Sequence, residues 1–221
     1  MNTSKHNNTC ILCGHETYPL KDPQIKATYD VCTHCKFTYK PQQYHLSREK
    51  EKAQYDHHVN TMENEGYVNM FKRFLDESVY PYIKSGKALD FGSGPGPVLY
   101  ELLKMDGFKA SHYDPYYHKD FSVFEHTYDL ITSTEVFEHF SDPVKTLGHI
   151  SALLEKGGIL AVMTSLRPPS DEAFLKWWYR RDSTHISFFT FEAFEELIKP
   201  YPLKLIHTNN KNYFVFRKDW Q

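Results

Sequence analysis

KALDFGSGPGPVLYELLKM, residues 87–105, runs from a short apolar stretch through a glycine-rich turn into helical spacing, which ends at Gly107. A turn of this kind uses glycine for two reasons. Missing side chains allow positive φ, and they let a ligand approach the backbone at the carboxyl edge of a sheet. About twenty residues further on, KASHYD (109–114) reads as a second strand closed by Asp114, where a carboxylate can hydrogen-bond both hydroxyls of a ribose. Together the turn and Asp114 point to an adenosine-containing ligand. The spacing is GxGxG, with Pro97 where the dinucleotide fingerprint GxGxxG has its last glycine, so a nicotinamide-dependent oxidoreductase is an alternative on the glycines alone.

Outward from this turn the chain alternates. Phe71, Phe74, Leu75, Val79 and Tyr82 recur at three- and four-residue intervals, predicting a helix over 66–83. YDLITS gives a third strand. The stretch 142–158 gives a helix with Asp142 as N-cap, Pro143 in its first turn and Gly157 at its end, and the apolar run GGILAVMTS gives a strand covered on both faces. A last helix starts at Thr190 and stops before Pro200; PLKLIHT and NYFVFRK form a hairpin across NNK. The expected fold is α/β: a Rossmann-like, doubly wound, mostly parallel sheet with a C-terminal antiparallel hairpin.

All four cysteines precede residue 36. Cys10, Cys13, Cys32 and Cys35 form two CxxC knuckles at the spacing that presents four thiolates to Zn²⁺, in a segment too poor in apolar residues to fold around its own core. A small zinc ribbon over 1–45 is expected, with a linker and helical segment over 46–85 and the large domain over 86–221. The polar stretch 46–64 reads as a linker or exposed helix, its His57 and His58 solvated. A formal charge of −2 argues against nucleic acid as the default partner, and Lys21, Lys26, Lys36 and Lys40 of the ribbon are too few to reverse that. The opening nine residues lack the apolar core of a signal peptide and no run approaches a membrane span, so a cytoplasmic protein is expected.

LDFGSGPG resembles motif I of the class I S-adenosylmethionine-dependent methyltransferases, and YDPYY resembles the acidic end of their second strand. YDLITSTEVFEHF and HISFF extend the resemblance over roughly 66–221, to cores like methyltransferase-23 and the ubiquinone-pathway O-methyltransferases. It implies that Gly92, Ser93, Gly94 and Gly96 line the cofactor, that Asp90 sits beside its amino group, that Asp114 binds its ribose, and that Thr132 and Ser133 end a strand at the mouth of the site. About fourteen residues separate Asp114 from Asp129, too few for the helix and strand the family places there, so the adenine contacts have no assignment.

Glu135, Glu138 and His139 stand at i, i+3 and i+4, one side of a helical turn. In the ubiquinone-pathway enzymes and the terminal 2′-O-methyltransferases of small RNAs, a similar ExxEH with a later histidine looks like a divalent-metal site. His185 is the later histidine here. Three readings stand open: a second divalent ion on Glu135, Glu138, His139 and His185; acid/base catalysis by His139 or His185 with Glu138 orienting the ring; or a pocket wall. The insertion 167–185 carries Trp177, Trp178 and Tyr179, able to stack on a flat acceptor, though adjacent tryptophans on a helix diverge and one of them belongs to the core. Arg180 or Arg181 could meet an acceptor carboxylate or phosphate.

CILCG and CTHC resemble the N-terminal zinc-binding region of sugar C-methyltransferases, whose further C-terminal domain has no counterpart in this sequence. The leading expectation is an enzyme that methylates a small-molecule acceptor, at oxygen before carbon or nitrogen. The rivals are a methyltransferase acting on RNA or protein, and a non-catalytic scaffold whose zinc ribbon recruits a protein or RNA.

Overall fold

The computed structural model describes residues 8–57 and 60–219; His58 lies outside them, and His57 is exposed. Strands β1 (Thr17–Asp22), β2 (Ala27–Cys32) and β3 (Thr38–Tyr39) follow the first knuckle. Helix α1 (Arg48–Tyr55) is capped by the Ser47 side chain. Helix α2 (Glu65–Ser78) buries Val68, Phe71, Phe74 and Leu75 and stops short of Ile83, because Pro81 disfavours helical backbone in the residue before it. Then come β4 (Lys87–Phe91), α3 (Val98–Met105), β5 (Lys109–Tyr113), β6 (Tyr128–Thr134), α4 (Pro143–Leu153) and β7 (Leu154–Met163). They are followed by α5 (Asp171–Lys176), β8 (Ser187–Phe188), α6 (Phe191–Ile198), β9 (Leu203–Thr208) and β10 (Tyr213–Lys218). Asp142 and Thr190 cap α4 and α6 as the sequence predicts. Helix α4 ends four residues before Gly157, because Leu154 is already extended and pairs with Tyr128.

The large sheet has the order β5-β4-β6-β7-β10-β9, parallel through β7, with β10 antiparallel to both its neighbours. Side-chain alternation divides its strands between two layers. Ala88, Leu130, Ile159 and Ala161 pack with α2 and α3, while Leu89, Ile131, Leu160 and Val162 pack with α4 and α6. Between β5 and β6 there is only a short 3-10 turn (Phe121–Glu125), so β5 is the outer strand, as the fourteen-residue gap requires. Among the described residues no helix is long and apolar enough to cross a membrane.

The second sheet has the order β1-β2-β3-β8, so the ribbon takes its fourth strand from the segment after His185. Its cysteines meet at the end of the hairpin. Sγ separations are 3.8 Å for Cys10–Cys35, 3.4 Å for Cys13–Cys32 and 3.7 Å for Cys13–Cys35. These are too long for disulfides and close to the ~3.8 Å edge of a tetrahedron with ~2.3 Å Zn–S bonds, so the four thiolates fit a zinc site. Each knuckle also donates a backbone N–H to its first sulfur, Leu12 to Cys10 and His34 to Cys32, both at 3.4 Å. Cys10, Cys32 and Cys35 belong to the same core cluster as Leu89, Ile131 and Phe214, which joins the metal site to the large sheet.

Candidate active site

A cleft of about 980 Å³ opens at the carboxyl ends of β4, β5 and β6. The glycine turn forms its floor. Gly92 and Ser93 donate their N–H groups to the Tyr113 carbonyl at 2.8 and 3.1 Å, and Gly94 donates to Asp114 Oδ2 at 3.0 Å. Asp114 Oδ1 accepts from the N–H groups of Tyr116 (2.8 Å) and Tyr117 (3.1 Å), so one carboxylate ties the glycine turn to the loop after β5. Gly92 has φ 86°, and a Cβ there would lie 2.4 Å from Val136. Asp90 is buried at the cleft wall, where it accepts from Thr132 Oγ1 at 3.2 Å; burial pushes its carboxyl up to about 7.

Of the residues singled out in the sequence, Asp90, Gly92, Ser93, Gly94 and Asp114 line the cleft. Gly96 does not: a Cβ there would sit 1.7 Å from the Asn60 carbonyl oxygen, so its missing side chain makes room for the chain before α2. Thr132 and Ser133 are fully buried beneath the floor, and Thr134 reaches the cleft instead.

Helix α1, expected as linker or exposed helix, lies across the mouth. Arg48, Glu51, Lys52, Tyr55 and Asp56 share one helical stripe and meet the loop after β5. Arg48 donates to the Pro115 carbonyl at 3.2 Å, Glu51 accepts from the hydroxyls of Tyr55 (2.8 Å) and Tyr116 (2.6 Å), and Asp56 accepts from Tyr117 at 2.7 Å. Tyr55 also sets its ring edge-on to His139, centroids 5.4 Å apart. The apolar count of α1 gave no hint of this; its polar periodicity did.

The EVFEH segment is not one helical turn. Glu135 has left-handed backbone, φ 54°, with its N–H on the Met163 carbonyl, and only Phe137–His139 form a 3-10 turn. Glu135 and His139 therefore line the cleft, while Glu138 points inward, fully buried, with Oε2 accepting from Thr164 at 2.8 Å. The Tyr179 hydroxyl lies between the two carboxylates, 3.0 Å from Glu135 Oε2 and in contact with Glu138 Oε1. Burial raises both carboxyls, Glu135 far above its usual range with the Glu138 charge adding to the effect.

His139 Nδ1 lies 3.1 Å from the Thr184 carbonyl and His185 Nδ1 lies 2.8 Å from the Tyr179 carbonyl. A carbonyl only accepts, so both rings carry their proton on Nδ1 and keep Nε2 as the lone-pair nitrogen. Burial holds both below the usual histidine range, His185 down to about 3, so both are neutral near pH 7. The rings stand 4.9 Å apart, and donor atoms of Glu138, His139 and His185 lie within 4.8 Å of one another.

Helix α5 ends before Trp177, so the tryptophans diverge for a different reason than helical rotation. Trp177 packs on Phe174, Tyr179 and Phe188, whereas Trp178 is 69% exposed at the cleft rim. Arg180 is not available to an acceptor: it is buried and pairs with Asp22 of β1 at 2.9 Å. Arg181 is exposed. Lys40 is buried too, and burial pulls its ammonium down to about 8 despite Asp182 and Asp22 nearby. The unfolded chain keeps that proton up to ~10.5, so the cost of charge is full below about 8 and fades as pH rises. Lys40→Met is therefore expected to raise urea-denaturation stability by about 1–3 kcal/mol at pH 7, the gain shrinking between pH 8 and 10.5. An unchanged or lower midpoint at pH 7 would show that the charge is compensated.

Residues 55–208, about 70% of the chain, match the model of a family described as a methyltransferase domain. Among solved structures, the chain is similar to the mitomycin 7-O-methyltransferase MmcR, with 15% identity and a TM-score of 0.52 over 69% of this chain and 55% of that one. CalO1, a methyltransferase in calicheamicin biosynthesis with SAH bound, gives 14% identity and a TM-score of 0.50 over 70% and 55%. A candidate S-adenosyl-L-methionine-dependent methyltransferase from Methanococcus maripaludis gives 17% and 0.51 over 78% and 90%. The chain spans about half the length of the first two, and at these identities the likeness is one of fold. No curated protein matches the sequence significantly.

Proposed function

The chain belongs to the methyltransferase domain family and is a class I S-adenosylmethionine-dependent methyltransferase, and from that premise we propose that it methylates a hydroxyl of a small, flat acceptor carrying no anionic group. When bound, the cofactor supplies an electrophilic methyl on its sulfonium. Asp90, Gly92, Ser93, Gly94 and Asp114 cradle it, supported from beneath by Gly96, Thr132 and Ser133. Phe91, Tyr113 and Phe140, at centroid separations of 5.8 and 6.4 Å, offer its base an aromatic wall in place of the family's third-strand contacts.

The acceptor half is walled by Tyr55, Tyr116, Phe140, Trp178 and Tyr179. Glu51 and Asp182 face it, and among the described residues the only cation lining it is the exposed Arg48 at the rim, which disfavours a carboxylate or phosphate. As the acceptor oxygen takes the methyl group, its hydroxyl proton would pass to His139 Nε2. The observation that supports this reading is the pair of buried imidazoles in the cleft whose Nδ1 atoms each face a backbone carbonyl, which leaves Nε2 as the lone-pair nitrogen. His185 and Glu138 order that corner through their hydrogen bonds to the Tyr179 carbonyl and the Thr164 hydroxyl; most of the acceleration comes from proximity and alignment.

One observation favours a second reading. The donor atoms of Glu138, His139 and His185 are close enough to hold a divalent ion, and a set of two imidazoles and a carboxylate suits a first-row metal. Such an ion would lower the pKa of the acceptor hydroxyl. Glu135, the fourth residue of the sequence-based set, is turned to Tyr179 instead.

The test is transfer of labelled methyl to a panel of phenols, catechols and aromatic amines, with and without EDTA at a level that leaves the cysteine-bound metal in place. Expected are methyl ethers, insensitive to EDTA, with turnover falling about 10²–10⁴-fold in His139→Ala while cofactor affinity holds. Methylation of amines alone would overturn the reading, and a requirement for added divalent ion would replace it with the second.

A further inference from the structure

We propose that the zinc ribbon is the positioning element of the acceptor half-site and acts through Arg180: held by the ribbon, this residue fixes the turn whose carbonyls set the tautomers of His139 and His185. This rests on the reading that those imidazoles face the acceptor.

Residues 179–188 are clamped from two sides. On the cleft side, the Tyr179 carbonyl meets His185 Nδ1, the Thr184 carbonyl meets His139 Nδ1, and Ile186 donates its N–H to the Glu138 carbonyl at 2.8 Å. On the opposite side, the ribbon holds the same residues. Ser187 and Phe188 pair with Tyr39 and Thr38, and Lys40 donates its N–H to the Ile186 carbonyl at 2.8 Å. The side chain of Arg180 reaches into the ribbon, where Nη1 stands 2.9 Å from Asp22 Oδ2 and Nη2 donates to Gln24 Oε1 at 2.7 Å; Nε turns back to the Leu175 carbonyl at 2.8 Å. Tyr29 and Val31 of β2 close a cluster with Phe174, Tyr179 and Phe188.

The cofactor half meets the ribbon elsewhere. The core cluster under α2 and α3 contains no residue of the ribbon, and the cluster with Leu89 and Ile131 takes in Cys10, Cys32, Cys35 and Phe37 but neither Asp22 nor Gln24, the partners of Arg180. Loss of the Arg180 contacts should therefore reach the imidazoles and spare the cofactor floor. A buried ion pair adds little stability over an apolar pair of similar volume. A planar guanidinium that donates to Gln24 Oε1 and the Leu175 carbonyl while ion-paired with Asp22 does fix a turn in one orientation.

The experiment reads the imidazoles directly, in zinc-loaded protein labelled with ¹⁵N-histidine, the two rings assigned from His139→Asn and His185→Asn. Wild type is expected to show both as neutral Nδ1–H rings. In Arg180→Met they are expected to become mixed or exchange-broadened, with zinc content unchanged and S-adenosylmethionine affinity within about threefold by calorimetry. If Arg180→Met does not fold, the double variant Asp22→Leu/Arg180→Met removes both buried charges together and serves in its place. Arg180→Lys, which keeps the charge but not the planar fork, is expected to restore the tautomers partly. A folded, zinc-loaded variant with wild-type tautomers overturns the inference while leaving the catalytic reading intact. Wild-type rings that are not Nδ1–H overturn both, and a wild type that does not bind the cofactor refutes the functional reading separately.

Discussion

Replacing Asp114 with alanine will weaken S-adenosylmethionine binding by roughly 10²–10³-fold in a calorimetric titration, and by more than any other single change on the cleft floor. The carboxylate has two tasks that alanine removes together. In the protein alone it accepts the N–H groups of Gly94, Tyr116 and Tyr117, which hold the glycine turn against the loop after β5. In the proposed complex, the one acceptor site left, on Oδ2, is expected to take a ribose hydroxyl. Three backbone donors lose a charged partner in the variant, so the turn reorganises before the ligand arrives. Asp114→Asn keeps a single acceptor oxygen and is expected to fall between the two. Affinity within threefold of wild type in the alanine variant would remove Asp114 from the cofactor site.

The second large effect lies at the other end of the molecule. Cys35→Ser should abolish stoichiometric zinc by atomic absorption and lower the thermal midpoint of the whole chain by about 10 °C, corresponding to a loss of about 3–5 kcal/mol. A separate zinc module would melt alone and leave the rest untouched. Here Cys35 gives its carbonyl to Thr190 Oγ1 at 2.6 Å, and Thr190 caps α6. Three of the four cysteines pack in the core cluster that contains Phe189, Phe194 and Phe214. One cooperative transition is therefore expected to move as a unit. Two transitions, with the upper one at the wild-type temperature, would mean that the ribbon is energetically independent.

Much of the catalytic framework was legible because its signals are local. KALDF, the glycine turn and Asp114 lie within 28 residues, and strand–turn–helix patterning alone puts them at one sheet edge. The four cysteines were legible from spacing. What escaped depends on contacts between distant segments. Arg180 reads in the sequence as a candidate partner for an acceptor carboxylate or phosphate, and only the fold brings Asp22 and Gln24 to it, more than 150 residues away in sequence. Glu135, Glu138 and His139 look like one helical face, but the left-handed backbone at Glu135 sends the two carboxylates into different surroundings, and Tyr179 then reconnects them. Helix α1 buries no residue, in keeping with an exposed helix, but its contacts across the cleft mouth also come from distant segments. Its polar stripe has the period of a buried face, and its partners are tyrosine hydroxyls instead of apolar side chains.

The borrowed strand β8 has a consequence for synthesis. All four cysteines are made before every strand of the large sheet, so the knuckles can capture metal ahead of that sheet. The strand that completes their sheet arrives roughly 150 residues later, a delay on the order of ten seconds at ~5–20 residues per second. Throughout that interval β3 is an open edge, and Tyr29 and Val31 lack Phe174, Tyr179 and Phe188, which later help to bury them. The nascent ribbon thus carries a loaded metal beside an unpaired strand, a template for mispairing until residue 188 emerges. A chain truncated before β8 should be zinc-bound yet prone to aggregate, whereas one truncated after α6 should have its ribbon sheet closed.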